Sequence, residues 1–339
     1  MDSLTQIVLG STVAALAVRP EHRRKALAVG AVLGTLPDLD VLPMMLWPSD
    51  PVTQMVTHRG ASHSLLVLPF VAGALWLLLR RLWAPVRESP GRWFWAIALV
   101  LLTHPLLDAF TVYGTQLLWP FRPPPVMWSN LWIIDPAYTL PLLFGVVAAA
   151  ILGAKRAGWV CLVVGALLST LYLAWSLTAK YLVERAADAA LAPLQLQNAP
   201  RFSVPTALNS VLWQITVMTP DGYAIGYRSL VADSNPIQFQ HYSSDVGALQ
   251  EAAATVPAVQ QLLWFNRGFM RASVDEQGRL ILSDLRMGSE PGYAFQFAVA
   301  QRVDGQWAPI EPERVPTSMN VVETLPVLWE RLLHEPAAP

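Results

Sequence analysis

Cysteine is almost missing from this chain: Cys161 is the only one in 339 residues. That excludes a disulfide framework and any zinc site built on thiolates. Charge is scarce too. Asp, Glu, Lys and Arg make up 14% of the chain, against ~25% in an ordinary soluble domain, too few to clothe a soluble surface throughout. The net charge of −1 leaves no basic face, so nucleic-acid-binding classes fall away. HExxH, Walker, nucleophile-elbow and CxxC motifs are all absent. A cleavable signal peptide is not expected either, because Asp2 is the only charge before Arg19 and the basic n-region is missing.

The charge deficit is uneven. Residues 1–179 hold 12 basic and 8 acidic residues, and residues 180–339 hold 11 and 16. In the first part six stretches carry no charge: Leu4–Val18, Ala26–Leu36, Gly60–Leu79, Trp93–Leu107, Pro136–Ala154 and Ala157–Ala179. A bilayer core needs ~20 helical residues, so the longer ones qualify as spans and the first two are tilted, re-entrant or packed as a hairpin. The expectation is a membrane α-helical bundle of five to six hydrophobic helices over 1–180. One set of alternate connections holds ten Lys/Arg and the other only Arg59 and Arg122, and the basic set should be cytoplasmic. Both termini, and everything after Lys180, then lie outside the cytoplasm. Trp93, Trp95 and Trp159 at one set of ends, and Trp47, Trp119 and Trp175 at the other, fit interfacial anchoring.

Beyond the last span, 181–200 reads as an amphipathic stalk ending in Pro193 and Pro200. Residues 201–339 show short alternating runs broken by turn residues, such as Leu212–Met218 before Pro220-Asp221-Gly222, then Tyr223–Val231. Turn pairs between such runs predict hairpins. Val321–Leu333 has helical spacing. The expected domain is a small extracytoplasmic α+β fold with a mostly antiparallel sheet.

Three polar clusters fall on one side of this topology. In Pro37-Asp38-Leu39-Asp40, proline breaks the helix, and in an extended continuation both carboxylates face one way. A plain helix-ending turn is the alternative. His58-Arg59-Gly60-Ala61-Ser62-His63-Ser64 carries two histidines five apart, which meet only if the backbone between them leaves the helix, as Gly60 allows. Interfacial histidines with no ligand are the alternative. In His104-Pro105-Leu106-Leu107-Asp108 the i,i+4 spacing puts both side chains on one helical face, as metal ligands or as a buried hydrogen-bonded pair. Asp38, Asp40, His58, His63, His104 and Asp108 form a nitrogen and oxygen donor set suited to Zn²⁺ or Mn²⁺, one ion or two. His22, His241 and His334 read as solvated bystanders.

These motifs resemble the bacterial inner-membrane metal-dependent hydrolases of the YdjM type. The resemblance runs from Met1-Asp2-Ser3-Leu4-Thr5-Gln6 through the three clusters to Trp119-Pro120-Phe121 and Ile134-Asp135-Pro136. It covers 1–180. Asn209, Trp213, Trp264-Phe265 and Asp284-Leu285-Arg286 are similar to the tail many of these proteins carry. Relatives often have histidine where Gln6 stands, which implies one ion fewer or weaker binding here. A fainter similarity, in the order Asp, His, HxxxD, is to zinc-dependent phospholipase C, although the further ligands of those enzymes are not evident.

The resemblance implies hydrolysis by a metal-activated water at the outer face of the cytoplasmic membrane. A site at the rim of a bundle meets amphiphiles, so a phospholipid or lipid-linked phosphoester is the expected substrate. Arg59 would contact its anionic group, Ser62 and Ser64 would donate hydrogen bonds, and Asp135 would act as base or extra ligand. Two other readings stay open. One is a non-enzymatic envelope or regulatory protein with a structural metal and a protein partner for the C-terminal domain. The other is an ion or proton translocator, although carriers usually place such groups near the midplane and in duplicated halves.

Overall fold

The computed structural model describes residues 1–46, 49–317 and 321–336. Trp47, one of the expected interfacial tryptophans, lies outside them. The chain divides into two compact units, Met1–Met45 with Arg59–Ser176, and Leu46–His58 with Leu177–Pro339.

The first unit is helical: α1 (Ser3–Ala17), α2 (Arg23–Thr35), α3 (Val41–Leu46), then, beyond α4 (Pro51–Thr57), α5 (Leu68–Leu82), α6 (Ala84–Glu88), α7 (Pro90–Ala109), α8 (Pro136–Leu152) and the first part of α9 (Arg156–Leu191). Acidic side chains start several helices by accepting the first free backbone N–H groups. Asp2 accepts from Thr5 N at the head of α1. Asp135, followed by Pro136 at the first helical position, accepts from Ala137 N and Tyr138 N at the head of α8. Arg23 and Arg24 close the other end of α8 by donating to the carbonyls of Ala150, Ile151 and Gly153.

Among the described residues two helical stretches are long and apolar enough to cross a membrane, Pro20–Leu46 and Arg156–Leu191. Pro51–His63 and Leu68–Leu82, bent by 57°, count as a third if they form one span. The outer faces of this unit are oily, with Phe70 80% and Phe144 67% exposed. Trp93 does not face outward: it is fully buried, edge-on to Trp83.

In hydrocarbon, burying apolar surface gives helices no reason to associate, so close backbone packing and hydrogen bonds must do it. The α1–α2 pair shows how. A methyl group on Gly30 would lie 2.2 Å from Gly10 O, and one on Gly34 would lie 2.4 Å from Gln6 O. Ser11 Oγ donates across the same pair to Leu27 O at 2.9 Å. The Gly30-Ala31-Val32-Leu33-Gly34 spacing therefore lets the two backbones touch.

The second unit holds an antiparallel sheet of β1 (Arg201–Pro205), β2 (Leu212–Thr219), β3 (Gly222–Ser229) and β4 (Phe239–Ser243) in that order. Helices α10 (Val246–Thr255) and α11 (Pro257–Asn266) follow. A second sheet has the order β10-β9-β6-β5, built from β5 (Met270–Val274), β6 (Arg279–Asp284), β9 (Gln296–Val303) and β10 (Gln306–Arg314). The small hairpin of β7 (Gly288–Ser289) and β8 (Gly292–Tyr293) interrupts it, and α12 (Val321–Leu333) comes last. All pairings are antiparallel, as the hairpin signals predict. The expected stalk is largely helix: α9 runs unbroken to Leu191. Below it Ala179, Val183, Ala187 and Leu191 pack on Trp213, Ile215 and Val217 of β2. Asp284 and Arg286 form a fully buried ion pair at 2.6 Å, with the guanidinium over Phe265. Burial raises the pKa of the Tyr223 and Tyr293 phenols here, and the Glu290 carboxylate that Tyr223 donates to adds to it.

Gly30→Ala is expected to destabilise the protein by about 1–3 kcal/mol or more, because backbone rather than a flexible side chain stands in the way. Gly73→Ala, where nothing lies within 4 Å, should be neutral or slightly stabilising. Thermal unfolding in detergent separates the two.

Candidate metal centre

Four side chains from three separate elements meet at one end of the helical unit. Asp38 comes from the turn after α2, His63 from the loop before α5, and His104 and Asp108 from the last turns of α7. Their ligand atoms all lie within 4.8 Å of one another. His63 Nε2 is 3.3 Å from Asp38 Oδ1 and 3.2 Å from Asp108 Oδ2. His104 Nε2 is 3.4 and 3.5 Å from the same two atoms. The two Nε2 atoms are 3.2 Å apart. A tetrahedron with metal–ligand bonds of about 2.0–2.1 Å has edges of about 3.3–3.4 Å. Five of the six donor separations match these edges and the sixth, between the two carboxylates, is within 4.8 Å, so the four donors outline a cage of about the right size for one zinc-like ion.

The hydrogen bonds behind the rings identify which nitrogen is free. His104 Nδ1 lies 2.7 Å from Gly34 O. A carbonyl only accepts, so Nδ1 carries the proton and, in the neutral ring, Nε2 presents its lone pair to the centre. His63 Nδ1 lies 2.9 Å from Ser62 Oγ, whose own proton goes to Asp40 Oδ2 at 2.8 Å. Ser62 therefore accepts from His63 Nδ1–H, and this imidazole too aims its Nε2 inward. Partners of this kind fix tautomer and ring orientation in metal-binding histidines. Asp108 Oδ2, fully buried, has no hydrogen-bond partner among the described residues. It is the atom that faces both imidazoles. Two lone pairs and two carboxylates directed at one point repel each other unless a cation lies between them, so the residues fit a divalent metal.

Around the cage, Gln6 Nε2 donates to Asp108 Oδ1 at 3.0 Å and to His104 O at 3.2 Å. The amino group of Met1 also donates to Asp108 Oδ1. Arg59 is buried with Nε 3.3 Å from Asp108 Oδ2. Its guanidinium also donates to Thr111 Oγ1 and lies over the Tyr113 ring. Arg59 has φ of 60°, a left-handed conformation that costs a non-glycine residue energy and marks a position held by its surroundings.

Of the six expected ligands the cage contains Asp38, His63, His104 and Asp108, and not Asp40 or His58. The extended backbone expected after Pro37 is a 3₁₀ turn, Pro37–Asp40. With three residues per turn, side chains two apart point roughly 240° apart. Asp38 accordingly enters the cage, while Asp40 turns to Arg59 N, 3.0 Å away, and to Ser62. His58 ends α4, whose last turn its own N–H closes.

The four residues expected to act on substrate are engaged within the chain. Arg59 and Ser62 support the cage as described. Ser64 Oγ donates to Trp119 O at 2.6 Å, and Asp135 caps α8 and accepts from Tyr172 at 2.8 Å. His22, expected to be solvated, is buried against Trp93 and 3.1 Å from Glu88. Gly34, whose carbonyl orients His104, was not among the expected site residues. The GxxxG spacing that ends on it was its available signal.

Fold and site together define a membrane protein with a helical domain holding two histidines and two aspartates in one cage, followed by an antiparallel sheet domain. Residues 1–183 match the family described as YdjM inner membrane protein, and the chain belongs to that family. It is 35% identical over 95 residues to inner membrane protein YdjM of Escherichia coli (strain K12), covering 26% of this chain and 45% of the relative. The same values hold for inner membrane protein YdjM of Shigella flexneri. The chain thus spans less than half the length of these curated relatives. No solved structure matches.

Ser62→Ala is expected to weaken divalent-ion binding about 10–100-fold, the usual cost of removing a partner behind a ligand. His63→Ala should abolish binding. Ser64→Ala, two residues along but turned to Trp119, should leave it unchanged. Competition against a chromogenic chelator measures all three.

Proposed function

We propose that this protein is a multi-pass inner-membrane hydrolase that works through a divalent metal, with Zn²⁺ the best fit, at the outer face of the cytoplasmic membrane. The convergence of Asp38, His63, His104 and Asp108 at close to zinc-ligand spacing, with both imidazoles oriented from behind, is the observation that carries the reading. The outward placement rests on the basic loops: Arg23 and Arg24 cap the cytoplasmic end of α8, and the cage lies at the other end of α7 and α2. The C-terminal sheet domain then follows α9 on the extracytoplasmic side. A divalent ion in this cage supplies a Lewis acid that polarises a phosphoryl or carbonyl oxygen and acidifies a water.

The residues of the chain do the rest. His63, His104 and Asp108 are buried, and Asp38 keeps 25% of its side chain exposed. Substrate and water therefore approach past Asp38, whose carboxylate is placed to take a proton from the attacking water. Arg59 and Gln6 hold Asp108 in orientation from either oxygen. The substrate class proposed is a phosphoester.

One observation favours a second reading. Four protein donors close a tetrahedron, and closed cages are typical of structural metals, whereas catalytic zinc usually keeps one position open. An envelope protein with a structural ion would show this geometry as well. A transport role has less support, since the donors gather at one end of the helices and no duplicated half is present.

Purified protein is expected to cleave a chromogenic phosphodiester, to lose that activity to a chelator and to regain it with Zn²⁺. Asp38→Asn should lower kcat about 100-fold or more while still retaining an ion. A metal-loaded wild type that cleaves no phosphoester, ester or amide, together with a His104→Ala variant that merely melts earlier, would establish the structural reading instead.

A further inference from the structure

A groove of about 300 Å³ is cut into the helical unit between α1, α7, α8 and α9. Five hydroxyl-bearing residues line it, Tyr138 among them, and the four Ser/Thr hydroxyls are already used on helix carbonyls. Thr12 donates to Val8 O, Thr103 to Leu99 O, Thr170 to Ala166 O and Ser169 to Tyr138 O. A Ser/Thr hydroxyl turned back on a helix carbonyl leaves the groove walled mostly by aliphatic groups and the Phe110 and Tyr138 rings, so a hydrogen-bonding ligand gains little there.

The course of the groove matters as much as its lining. At one end it is bounded by Leu107 and Phe110, which flank Asp108 on α7, so it begins at the level of the cage. On α1 it includes Val13 and Leu16. Val13 lies two helical turns beyond Gln6 on the same face, so the groove leaves the cage and descends toward the basic end of the unit. An amphiphile with its polar group at Asp38 would lay its tail along this path.

We infer that the groove binds one acyl chain of a membrane lipid, and that the substrate at the cage is accordingly a lipid phosphoester. The link to substrate rests on the hydrolytic reading above, whereas binding of the chain does not. The surrounding medium of an inner-membrane helical domain consists of such chains, and a concave, predominantly apolar slot lined by four helices orders one of them in preference to a flat face.

Proteoliposomes containing phosphatidylethanolamine with a diazirine midway along one acyl chain test this. After photolysis, adducts are expected on the groove segments of α1 and α9 at about tenfold the density found around Phe70 and Phe144 on the outer faces, corresponding to a modest binding preference. Ala166→Trp and Leu106→Trp, which fill the groove from opposite walls, should each remove the enrichment while the bound metal per chain stays at the wild-type value. Uniform labelling of all lipid-facing surfaces would overturn the inference. So would crosslinks between two copies of the chain through the groove, because a neighbouring helix would then be its occupant. Enrichment without hydrolysis keeps the groove and removes the catalytic reading. Hydrolysis of a soluble phosphodiester without enrichment does the reverse.

Discussion

At the end of α7, two imidazole nitrogens face each other across 3.2 Å, each with its proton held on the far side of the ring. Two carboxylate oxygens face the same point. Every arrangement of protons within this set leaves at least one repulsive contact. Protonating one Nε2 satisfies one carboxylate and leaves the other imidazole lone pair unmatched, and protonating both sets two N–H groups against each other. A dication resolves all of these contacts together, because each donor then directs its electron density at an opposite charge. In a low-dielectric setting such pairings count for far more than in water. The helical unit is built to hold this otherwise unfavourable arrangement.

That demand explains packing that would look arbitrary without it. Gly34 is both the point where α2 presses on the backbone of α1 and the carbonyl that orients His104. Close approach and tautomer control are one feature. Likewise the 3₁₀ turn after Pro37 divides two aspartates between two tasks, sending Asp38 into the cage and Asp40 behind His63 by way of Ser62. The left-handed Arg59 lets the chain leave α4, present its backbone N–H to Asp40 and reach Asp108 with its side chain. The local strain is set against two charge-assisted contacts.

How legible this was in the sequence varied with how far each feature depended on local backbone rules. The His104–Asp108 pair could be read directly, because the helical period puts i and i+4 together whatever surrounds them. The hairpin at Pro220-Asp221-Gly222 was equally plain, since turn chemistry is local. The Asp38–Asp40 pair was misread because extended and 3₁₀ continuations after a proline send alternate side chains in different directions, and tertiary packing decides between them. His58 was offered because Gly60 lets the backbone before His63 leave the helix, and the cage does not include it. Strands β1, β4 and β10 carry no sharp signal of their own, as they are defined by the partners beside them. The amphipathic helical start of 181–200 was legible, but its unbroken continuation from the preceding span and its packing on β2 were not, because neither is a local property.

The balance between a structural and a catalytic ion turns on Asp38. Three donors are buried with supports fixed behind or beside them: Gly34 O behind His104, Ser62 behind His63, and Arg59 and Gln6 on Asp108. Asp38 has no comparable support among the contacts described, arises from a single 3₁₀ turn and keeps a quarter of its side chain in the open. A cage intended only to hold the fold together would gain from burying and bracing all four donors, since each braced ligand adds affinity and rigidity. Three rigid donors and one at the rim form instead a site that can yield its outer position when another ligand approaches. The unequal support of the four donors is the feature on which the hydrolytic proposal, and not a purely architectural ion, relies.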